Sequence, residues 1–300
     1  MSKFDFSSTI DKIQNTLKRD ERRANQFGVG SSLAKISNDP SDYVVLPPWW
    51  KEYFGVLGIR FGNFVQIAGD PDSGKTSLSL LAIKCAQDQG YGVIYVETEG
   101  KTGEDDLIAS GINPKGVITV HTKITEEMYD GMNLAIEAFF AQYPKEKLLV
   151  VIDSYGNSIS MRDSTIEQVE SNAMVGGPAK MNRTGISSLA AKQINDPIAV
   201  LVVNYTYDNL GSPGKTNAGG KALDFHCMLT LQSQRTGWYE KTVDKEKVRA
   251  GAFVKWRVYK NHYAKALKDE NGNQILLPKE LNLKISGEGL EPIKLESKSK

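Results

Sequence analysis

The sequence Gly69-Asp70-Pro71-Asp72-Ser73-Gly74-Lys75-Thr76-Ser77 decides the fold, because its first eight residues match G-x-x-x-x-G-K-S/T at every fixed position. The two glycines let the backbone wrap a phosphate chain without side-chain clash. Lys75 can reach the outer phosphates of a nucleotide, and the Thr76 hydroxyl can bind Mg²⁺. The motif therefore predicts that this segment binds a nucleoside triphosphate.

The segments that flank this loop have the pattern that the motif requires. The run Phe64–Ala68 reads as a short strand, and the apolar residues Leu78, Leu81 and Cys85 fall at helical spacing. A strand, a loop and a helix in this order place loop N–H groups and a helix N-terminus around a phosphate. We therefore prefer this interpretation to a glycine-rich turn that only caps an ordinary helix.

Length and composition limit the kinds of protein that this chain can be. It has 300 residues, of which 40% are hydrophobic and 24% are charged. A chain of this length and composition can form one large hydrophobic core without disulfides or structural metal ions. The formal net charge is +1, so the overall charge does not indicate binding to nucleic acid. A local basic patch is still compatible with this net charge. Two cysteines, no apolar run of membrane-spanning length and no signal-peptide pattern predict a cytoplasmic protein without a membrane partner.

The order of apolar patterns along the chain predicts an α/β fold. Helical patterns at 75–89, 126–142 and 179–194 separate several strand patterns. The strand patterns are Phe64–Ala68, Val93–Glu97, Leu148–Ile152, Ala199–Val203, Met228–Leu231 and Phe253–Tyr259. This alternation indicates a mostly parallel central sheet covered by helices.

Three segments are predicted along the chain. Residues 1–47, with a helical pattern at 5–23, form an N-terminal arm outside the nucleotide-binding core. Residues 48–265 form the α/β core. Residues 266–300 form a C-terminal hairpin and tail, because turn-forming residues at 269–273 lie between two strand-like runs.

Acidic side chains end two of the predicted strands. Asp153 ends the run Leu148–Ile152, and beside a phosphate-binding loop such a carboxylate holds Mg²⁺. Glu97 and Glu99 end a second run, and ligands bind at the carboxyl ends of parallel strands. One of these two glutamates could serve as the base for an attacking water. Their spacing alone leaves open which of them does so.

A long polar loop, residues 206–221, is a second candidate site. It carries four glycines, among them Gly219 and Gly220, and the lysines Lys215 and Lys221. Long loops inside compact domains are usually functional, and glycine N–H groups approach phosphates closely. Lysine adds charge without base specificity. A surface loop without function is the alternative, but the position directly after a core strand favours binding.

Several segments, taken in order along the chain, resemble a known family. After the phosphate-binding loop come Tyr95–Gly100, Leu148–Ser154, Val202–Tyr205 and Gly219–Phe225. Their order and spacing resemble the RecA-type recombinases over residues 27–265. The last segment, with sequence GGKALDF, discriminates best, because phosphate-binding loops occur in many folds. The sequence NYTY that starts at Asn204 resembles the phage UvsX-like branch of this family.

The resemblance implies roles for individual residues. Glu99 matches the catalytic glutamate that polarises water, and Asp153 matches the Mg²⁺ aspartate. Asn204 and Tyr205 lie where the family senses the γ-phosphate and links nucleotide state to the DNA loop. Bacterial RecA has glutamine at the Tyr205 position, so the coupling is expected to differ in detail. The adenine-stacking aromatic of the family has Asp106 at its position here, so a preference for ATP is implied by the family alone.

Two residues near the end of the matched region are implied to act on the nucleotide of the next subunit. Lys260 resembles a basic residue that the family supplies in trans, which makes hydrolysis depend on assembly. Bacterial RecA has a second lysine where His262 stands, and histidine can be neutral near pH 7. For Lys260 the alternative is a solvated lysine at a strand end. The expected catalytic residues are therefore Glu99, Lys75 and Lys260.

The resemblance also implies contacts with single-stranded DNA. Lys180 and Arg183 follow a first loop, residues 160–178, and match basic positions that grip the DNA backbone. The second loop is implied to contribute Lys215, Lys221 and the glycine pair. Binding of this kind tolerates sequence changes and is sensitive to salt.

The implied function is an ATP- and Mg²⁺-dependent recombinase. It would form helical filaments on single-stranded DNA, pair that strand with homologous duplex DNA and exchange strands in recombination, repair and recombination-dependent replication. The arm at residues 1–47 resembles the family's polymerisation arm. A hexameric helicase and a DNA-binding accessory protein with structural nucleotide are the alternatives. Residues 266–300 are too short for the C-terminal domain of bacterial RecA, which leaves open whether a loader or single-strand binding protein supplies that regulation.

Overall fold

The chain consists of two compact units, residues 1–37 and residues 38–300. The computed structural model describes residues 7–16, 37–161, 177–208 and 215–293. In the first unit the described part is helix α1, Ser7–Thr16. The helical pattern at 5–23 is therefore a helix over ten of its residues, 7–16, and its other residues lie outside the described ranges.

The second unit contains the predicted strands and helices in the predicted order, together with shorter elements that the sequence patterns did not predict. Its helices are α2 Pro48–Phe54, α3 Lys75–Asp88, α4 Glu104–Ala109, α5 Thr125–Gln142, α6 Gly177–Lys192 and α7 Ala222–His226. Its first strands are β1 Tyr43–Val45, β2 Gly58–Arg60, β3 Phe64–Gly69, β4 Gly92–Glu97, β5 Ile118–His121 and β6 Leu148–Asp153. The later strands are β7 Ile198–Asp208, β8 Lys215–Asn217, β9 Cys227–Val243, β10 Glu246–Asn261, β11 Glu280–Ser286 and β12 Gly289–Pro292. Within the described ranges, none of the helices has the length and apolar character needed to cross a membrane.

A ten-stranded sheet forms the centre of this unit. The strand order is β12-β11-β10-β9-β3-β7-β6-β4-β5, and β8 pairs with β7 off this path. The strands from β9 to β5 in that order run parallel. Strands β10, β11 and β12 join antiparallel at one side. The predicted α/β fold with a mostly parallel central sheet is confirmed.

Burial on both faces explains why the central strands are almost continuous apolar runs. On one face, alternate residues such as Ile94, Val150 and Val200 form a cluster with side chains of α5 and α6. The intervening residues, such as Val151 and Leu201, are also fully buried. Helix α3 packs against β3, β4, β6 and β7. Parallel strands covered on both faces need apolar residues at every position.

The parallel register brings the carboxyl ends of four strands to one edge of the sheet. Gly69 at the end of β3 lies opposite Tyr205 of β7. Asp153 at the end of β6 lies opposite Val203 of β7 and Glu97 of β4. Ligands of open parallel sheets bind at this edge.

The C-terminal strands extend the central sheet. The turn predicted at 269–273 is present, because the Asp269 N–H donates to the Asn273 carbonyl at 2.8 Å and Lys268 bridges Gln274. Strand β11 then pairs with Gly251–Arg257 of β10. Residues 280–292 consequently belong to the same sheet as the core. The division of the chain into three segments stays a prediction.

Candidate active site

The phosphate-binding loop runs from the end of β3 to the start of α3. Gly74 has a φ of +85°, a left-handed conformation that glycine adopts without strain. A Cβ at this position would lie 2.4 Å from Cδ1 of Ile285 in β11, so glycine also provides the space. Helix α3 begins at the next residue, Lys75, and its N-terminus offers a positive partial charge to an anion.

The Lys75 side chain is folded back onto the loop. It is 6% exposed, and Nζ donates to the carbonyls of Gly69 at 3.1 Å and Asp70 at 2.6 Å. Burial lowers the pKa of Lys75, and the carboxylates of Asp153 and Glu99 oppose this effect. The ammonium group is therefore held beside the loop, where phosphate oxygens could replace the carbonyls as its partners.

Strands β9 and β10 support the loop through contacts that the sequence did not indicate. The Ser73 hydroxyl forms a hydrogen bond of 2.7 Å with the Ser233 hydroxyl, and Trp256 Nε1 donates to the Ser73 carbonyl at 3.2 Å. Arg235 pairs with Asp72 at 2.8 Å. These partners lie 160 to 183 residues away from the loop along the chain, so no local pattern could have identified them.

The carboxyl end of β6 presents Asp153 next to the start of α3. Asp153 is 5% exposed, and its Oδ2 has no hydrogen-bond partner among the described residues. Burial raises the pKa of Asp153 to about 6, an effect that the Thr76 hydroxyl partly offsets. A buried, unpartnered carboxylate oxygen beside a hydroxyl fits Mg²⁺, which prefers oxygen ligands and keeps waters and phosphates in its remaining positions.

Glu97, the first of the two glutamates after β4, holds the turn that follows the strand. Its carboxylate accepts hydrogen bonds from the backbone N–H groups of Glu99, Gly100 and Lys101 at 2.7–3.1 Å. The same carboxylate pairs with Nδ1 of His121 at 2.9 Å. Glu97 therefore organises the turn on which Glu99 is carried.

Glu99, the second glutamate, lies beyond the end of β4 and faces β6 and β7. Its carboxylate accepts a hydrogen bond from the Ser154 hydroxyl at 2.7 Å and another from the Tyr205 hydroxyl. Lys101 Nζ lies 2.6 Å from Glu99 Oε2. Burial alone would raise the pKa of Glu99, but hydrogen bonds from Lys101, Tyr205 and Ser154 lower it below its usual value. Glu99 is therefore ionised at neutral pH and able to orient a water molecule.

A cavity of about 160 Å³ joins these groups. Its lining residues are Thr76, Leu80, Glu97, Glu99, Lys101, Thr102, Asp106 and Asp153. Leu80 and Asp106 also line a second cavity of about 570 Å³, between α3, α4 and the β11–β12 hairpin. Among the described residues, no aromatic side chain lines either cavity. The two cavities are adjacent, because Leu80 and Asp106 line both of them.

Strand β7 connects the active-site edge with the second candidate site. Asn204 is buried, and its Nδ2 donates to the Ala218 carbonyl at 3.0 Å. The Ala218 N–H donates to the Tyr205 carbonyl at 2.9 Å. Ala218 directly precedes Gly219 and Gly220. Tyr205, which contacts Glu99, and its neighbour Asn204 therefore hold the residue that precedes the glycine pair.

The glycine pair lies against the first turn of α6. Gly219 and Gly220 have φ values of +76° and +84°, and a Cβ at Gly220 would lie 3.5 Å from the Cβ of Ala179. Lys180 and Arg183 are exposed on α6, and Lys221 is exposed after the glycine pair. The structure thus brings together candidates from both predicted loops.

Parts of the two predicted loops lie outside the described residues. These parts are residues 162–176 and 209–214, which include most of the first loop. Lys215 begins β8, and its backbone pairs with Asp208 of β7. The predicted DNA contact of Lys215 is therefore supported by position along the strand alone.

Lys260 and His262 lie away from the phosphate-binding loop of their own chain. Lys260 is opposite Thr230 of β9, which pairs with Gln66 in the middle of β3, whereas Gly69 at the end of β3 pairs with Ser233. Lys260 Nζ donates to the Asp224 carbonyl. Burial, together with the charge of Lys260, lowers the pKa of His262. The structure does not bring these two residues to the active-site edge.

The fold and the site together define the class of P-loop proteins with a parallel α/β core. Within that class, the model of the RecA N-terminal domain matches residues 48–280. The chain belongs to the RecA family.

Individual relatives are distant in sequence. The chain is 24% identical over 185 residues to Protein RecA of Malacoplasma penetrans, which covers 61% of this chain and 54% of that protein. It is 26% identical over 219 residues to Protein RecA of Mycoplasma genitalium, which covers 71% and 61%. It is 25% identical over 217 residues to Protein RecA of Leifsonia xyli, which covers 70% and 58%. The chain thus spans little more than half the length of these relatives.

Replacing Asp153 with Asn should stabilise the nucleotide-free protein and remove its response to Mg²⁺ with ATP. The pKa of Asp153 is about 6 in the folded protein and 3.8 in the unfolded chain, so its ionised form destabilises the fold. This destabilisation is complete above about pH 6 and disappears as the pH falls towards 3.8. We expect a gain of roughly 1–3 kcal/mol at pH 8 and a smaller gain at pH 5, measured by urea unfolding.

The matched control is Asp130→Asn, because Asp130 is exposed on α5 and its replacement should leave stability unchanged. Adding Mg²⁺ and ATP should raise the unfolding midpoint of the control but not that of the Asp153 variant. A full Mg²⁺-dependent increase in the Asp153 variant would show that Asp153 does not hold the metal.

Proposed function

We propose that this protein is an ATP-dependent recombinase that forms helical filaments on single-stranded DNA. In that state it would pair the strand with homologous duplex DNA and exchange strands in recombination, repair and recombination-dependent replication. One observation carries the proposal: strand β7 contacts both Glu99 and the segment that leads into the glycine pair. Membership of the RecA family supports the class of activity.

At the nucleotide, each group at the active-site edge has a task. The loop N–H groups and Lys75 bind the phosphates, and Thr76 with Asp153 holds Mg²⁺. When bound, Mg²⁺ neutralises charge on the phosphate oxygens. Glu99 orients the attacking water and accepts its proton, because its carboxylate is ionised and lies beside the cavity. Tyr205 then reports the state of the γ-phosphate to the glycine pair through β7.

Assembly is proposed to complete the site. Lys260 and His262 are remote from their own phosphate-binding loop, which fits a task at the loop of a neighbouring subunit. Two large aromatic side chains near Lys260 are exposed, Phe225 at 80% and Tyr259 at 62%. Exposed aromatic side chains of this size favour a protein interface. The polymerisation arm that packs on the neighbouring core is proposed for residues 1–37 rather than for the whole of 1–47. Residues 38–47 belong to the second compact unit, where β1 pairs with β2.

The DNA would lie on the surface formed by α6 and the glycine pair. The exposed side chains of Lys180, Arg183 and Lys221 would contact phosphates, and the N–H groups of Gly219 and Gly220 would approach the backbone closely. None of these groups reads a base edge, so binding should tolerate sequence changes.

Three finer predictions from the sequence are kept as proposals. They are the likeness to phage UvsX-like recombinases, action in the cytoplasm of a bacterial or phage-infected cell, and cooperation with a loader or single-strand binding protein. The sequence NYTY that starts at Asn204 supports the first of them.

The proposed function is tested by ATP hydrolysis with and without single-stranded DNA, combined with negative-stain imaging of the same samples. Open helical filaments with DNA-stimulated turnover are the expected result, and a strand-exchange assay should then be positive. Lys75→Ala is the control that should lack nucleotide binding. Closed rings would overturn the recombinase and favour the hexameric helicase.

The variant Glu99→Gln should bind ATP and form filaments on DNA but lose turnover by at least about a hundredfold. The amide keeps the shape of the side chain but is a poor proton acceptor. Glu104→Gln, on the exposed first turn of α4, is the matched control and should keep full activity. Turnover that survives in the Glu99 variant would show that another group activates the water.

Replacing Lys180 and Arg183 together with alanine should weaken binding of single-stranded DNA equally for different sequences. The slope of log K against log salt is negative, and each lost phosphate contact makes it shallower by about 0.7, so loss of the pair should make it shallower by about 1.4. Fluorescence anisotropy at several salt concentrations measures this slope. Lys145→Ala, an exposed lysine in the turn before β6, is the control that should leave the slope unchanged. An unchanged slope in the double variant would remove α6 from the DNA-binding surface.

A further inference from the structure

Lys101 is a cation of the active-site cavity that has no task in the hydrolysis proposed for Glu99, Lys75 and Asp153. It lines the cavity of about 160 Å³ together with Thr76, Glu99 and Asp153. Its Nζ lies 2.6 Å from Glu99 Oε2, which makes it the direct ionic partner of the proposed catalytic base. A side chain in this place acts on Glu99, on the ligand of the cavity, or on both.

The charges around the cavity favour a contact between Lys101 and the ligand. Four carboxylates line the cavity, those of Glu97, Glu99, Asp106 and Asp153. Among the described residues of the lining, Lys101 is the single lysine or arginine. Carboxylates that line the same cavity repel a bound polyphosphate, so cations must offset this repulsion when the polyphosphate binds.

The Lys101 backbone is held in place while its side chain is free to move. The Lys101 N–H donates to Glu97 Oε1 at 3.1 Å, as part of the turn that Glu97 organises. The side chain is 73% exposed, so its four-carbon chain is not packed. The Glu99 side chain is only 8% exposed, so Nζ leaves it only in exchange for a charge-assisted contact with a phosphate. The Ser154 and Tyr205 hydroxyls remain as donors to Glu99 after this exchange.

We propose that Lys101 is a catalytic residue that moves from Glu99 to the terminal phosphate of the bound nucleoside triphosphate. This inference rests on the function proposed above. The contact places a cation from the same chain where negative charge develops during phosphoryl transfer. It also releases Glu99 Oε2, which can then accept a hydrogen bond from the attacking water.

The proposed contact of Lys101 is with the terminal phosphate of a triphosphate, which a diphosphate lacks. Comparing the affinities for the two nucleotides therefore tests the proposal. Equilibrium binding of ADP and of a non-hydrolysable ATP analogue, both with Mg²⁺, is measured for Lys101→Met and Lys101→Arg. We expect Lys101→Met to bind the analogue about tenfold more weakly, the effect of one lost charge-assisted hydrogen bond, and ADP within about twofold of the wild type. Lys101→Arg should keep the affinity for both nucleotides, because it keeps the charge.

The control variant is Lys123→Met, which removes another exposed lysine and should change neither affinity. Turnover provides a second measurement, in which Lys101→Met should lower kcat at least about tenfold and Lys101→Arg should restore most of it. An equal loss of affinity for both nucleotides, or no loss for either, would overturn the proposal. Failure of the wild type to bind either nucleotide would instead overturn the proposed function on which this inference rests.

Discussion

The parallel register of β3, β7, β6 and β4 is the constraint on which the active site depends. Because Gly69 lies opposite Tyr205 and Asp153 lies opposite Glu97, the phosphate-binding loop and the acidic groups share one edge. A shift by one residue in any of these pairs would turn a strand's side chains to the other face of the sheet. The apolar core on both faces prevents such a shift, so packing far from the ligand determines the geometry of the site.

Burial of charge is the second physical theme of this edge. Asp153 is buried with an unpartnered oxygen, and burial raises its pKa, whereas Glu99 is surrounded by donors that lower its pKa. Two carboxylates in one cavity thus have opposite shifts, as expected for a group that awaits a cation and a group that remains an ionised acceptor. Glu97 differs from both, because backbone N–H groups and His121 occupy its carboxylate.

Strand β7 connects events at the nucleotide with the surface proposed to bind DNA. Tyr205 contacts Glu99 through its hydroxyl, and its carbonyl accepts from Ala218 beside the glycine pair. Asn204 binds the same segment from the buried side. A change at Glu99 can therefore reach the glycine pair along hydrogen bonds that lie within one strand and its neighbour. The family's coupling is proposed to use this route, with tyrosine in place of glutamine.

The sequence by itself determined the phosphate-binding loop, the α/β class and the acidic strand ends, because each is a local pattern of residue types at fixed spacing. It left open whether Glu97 or Glu99 faces the ligand, and the surroundings of the two carboxylates show that Glu97 holds a turn. It did not indicate Ser233 or Trp256 as supports of the loop, since both are separated from it by at least 160 residues. Only the tertiary structure decided these contacts, because strand pairing between distant segments, rather than local spacing, sets which side chains meet.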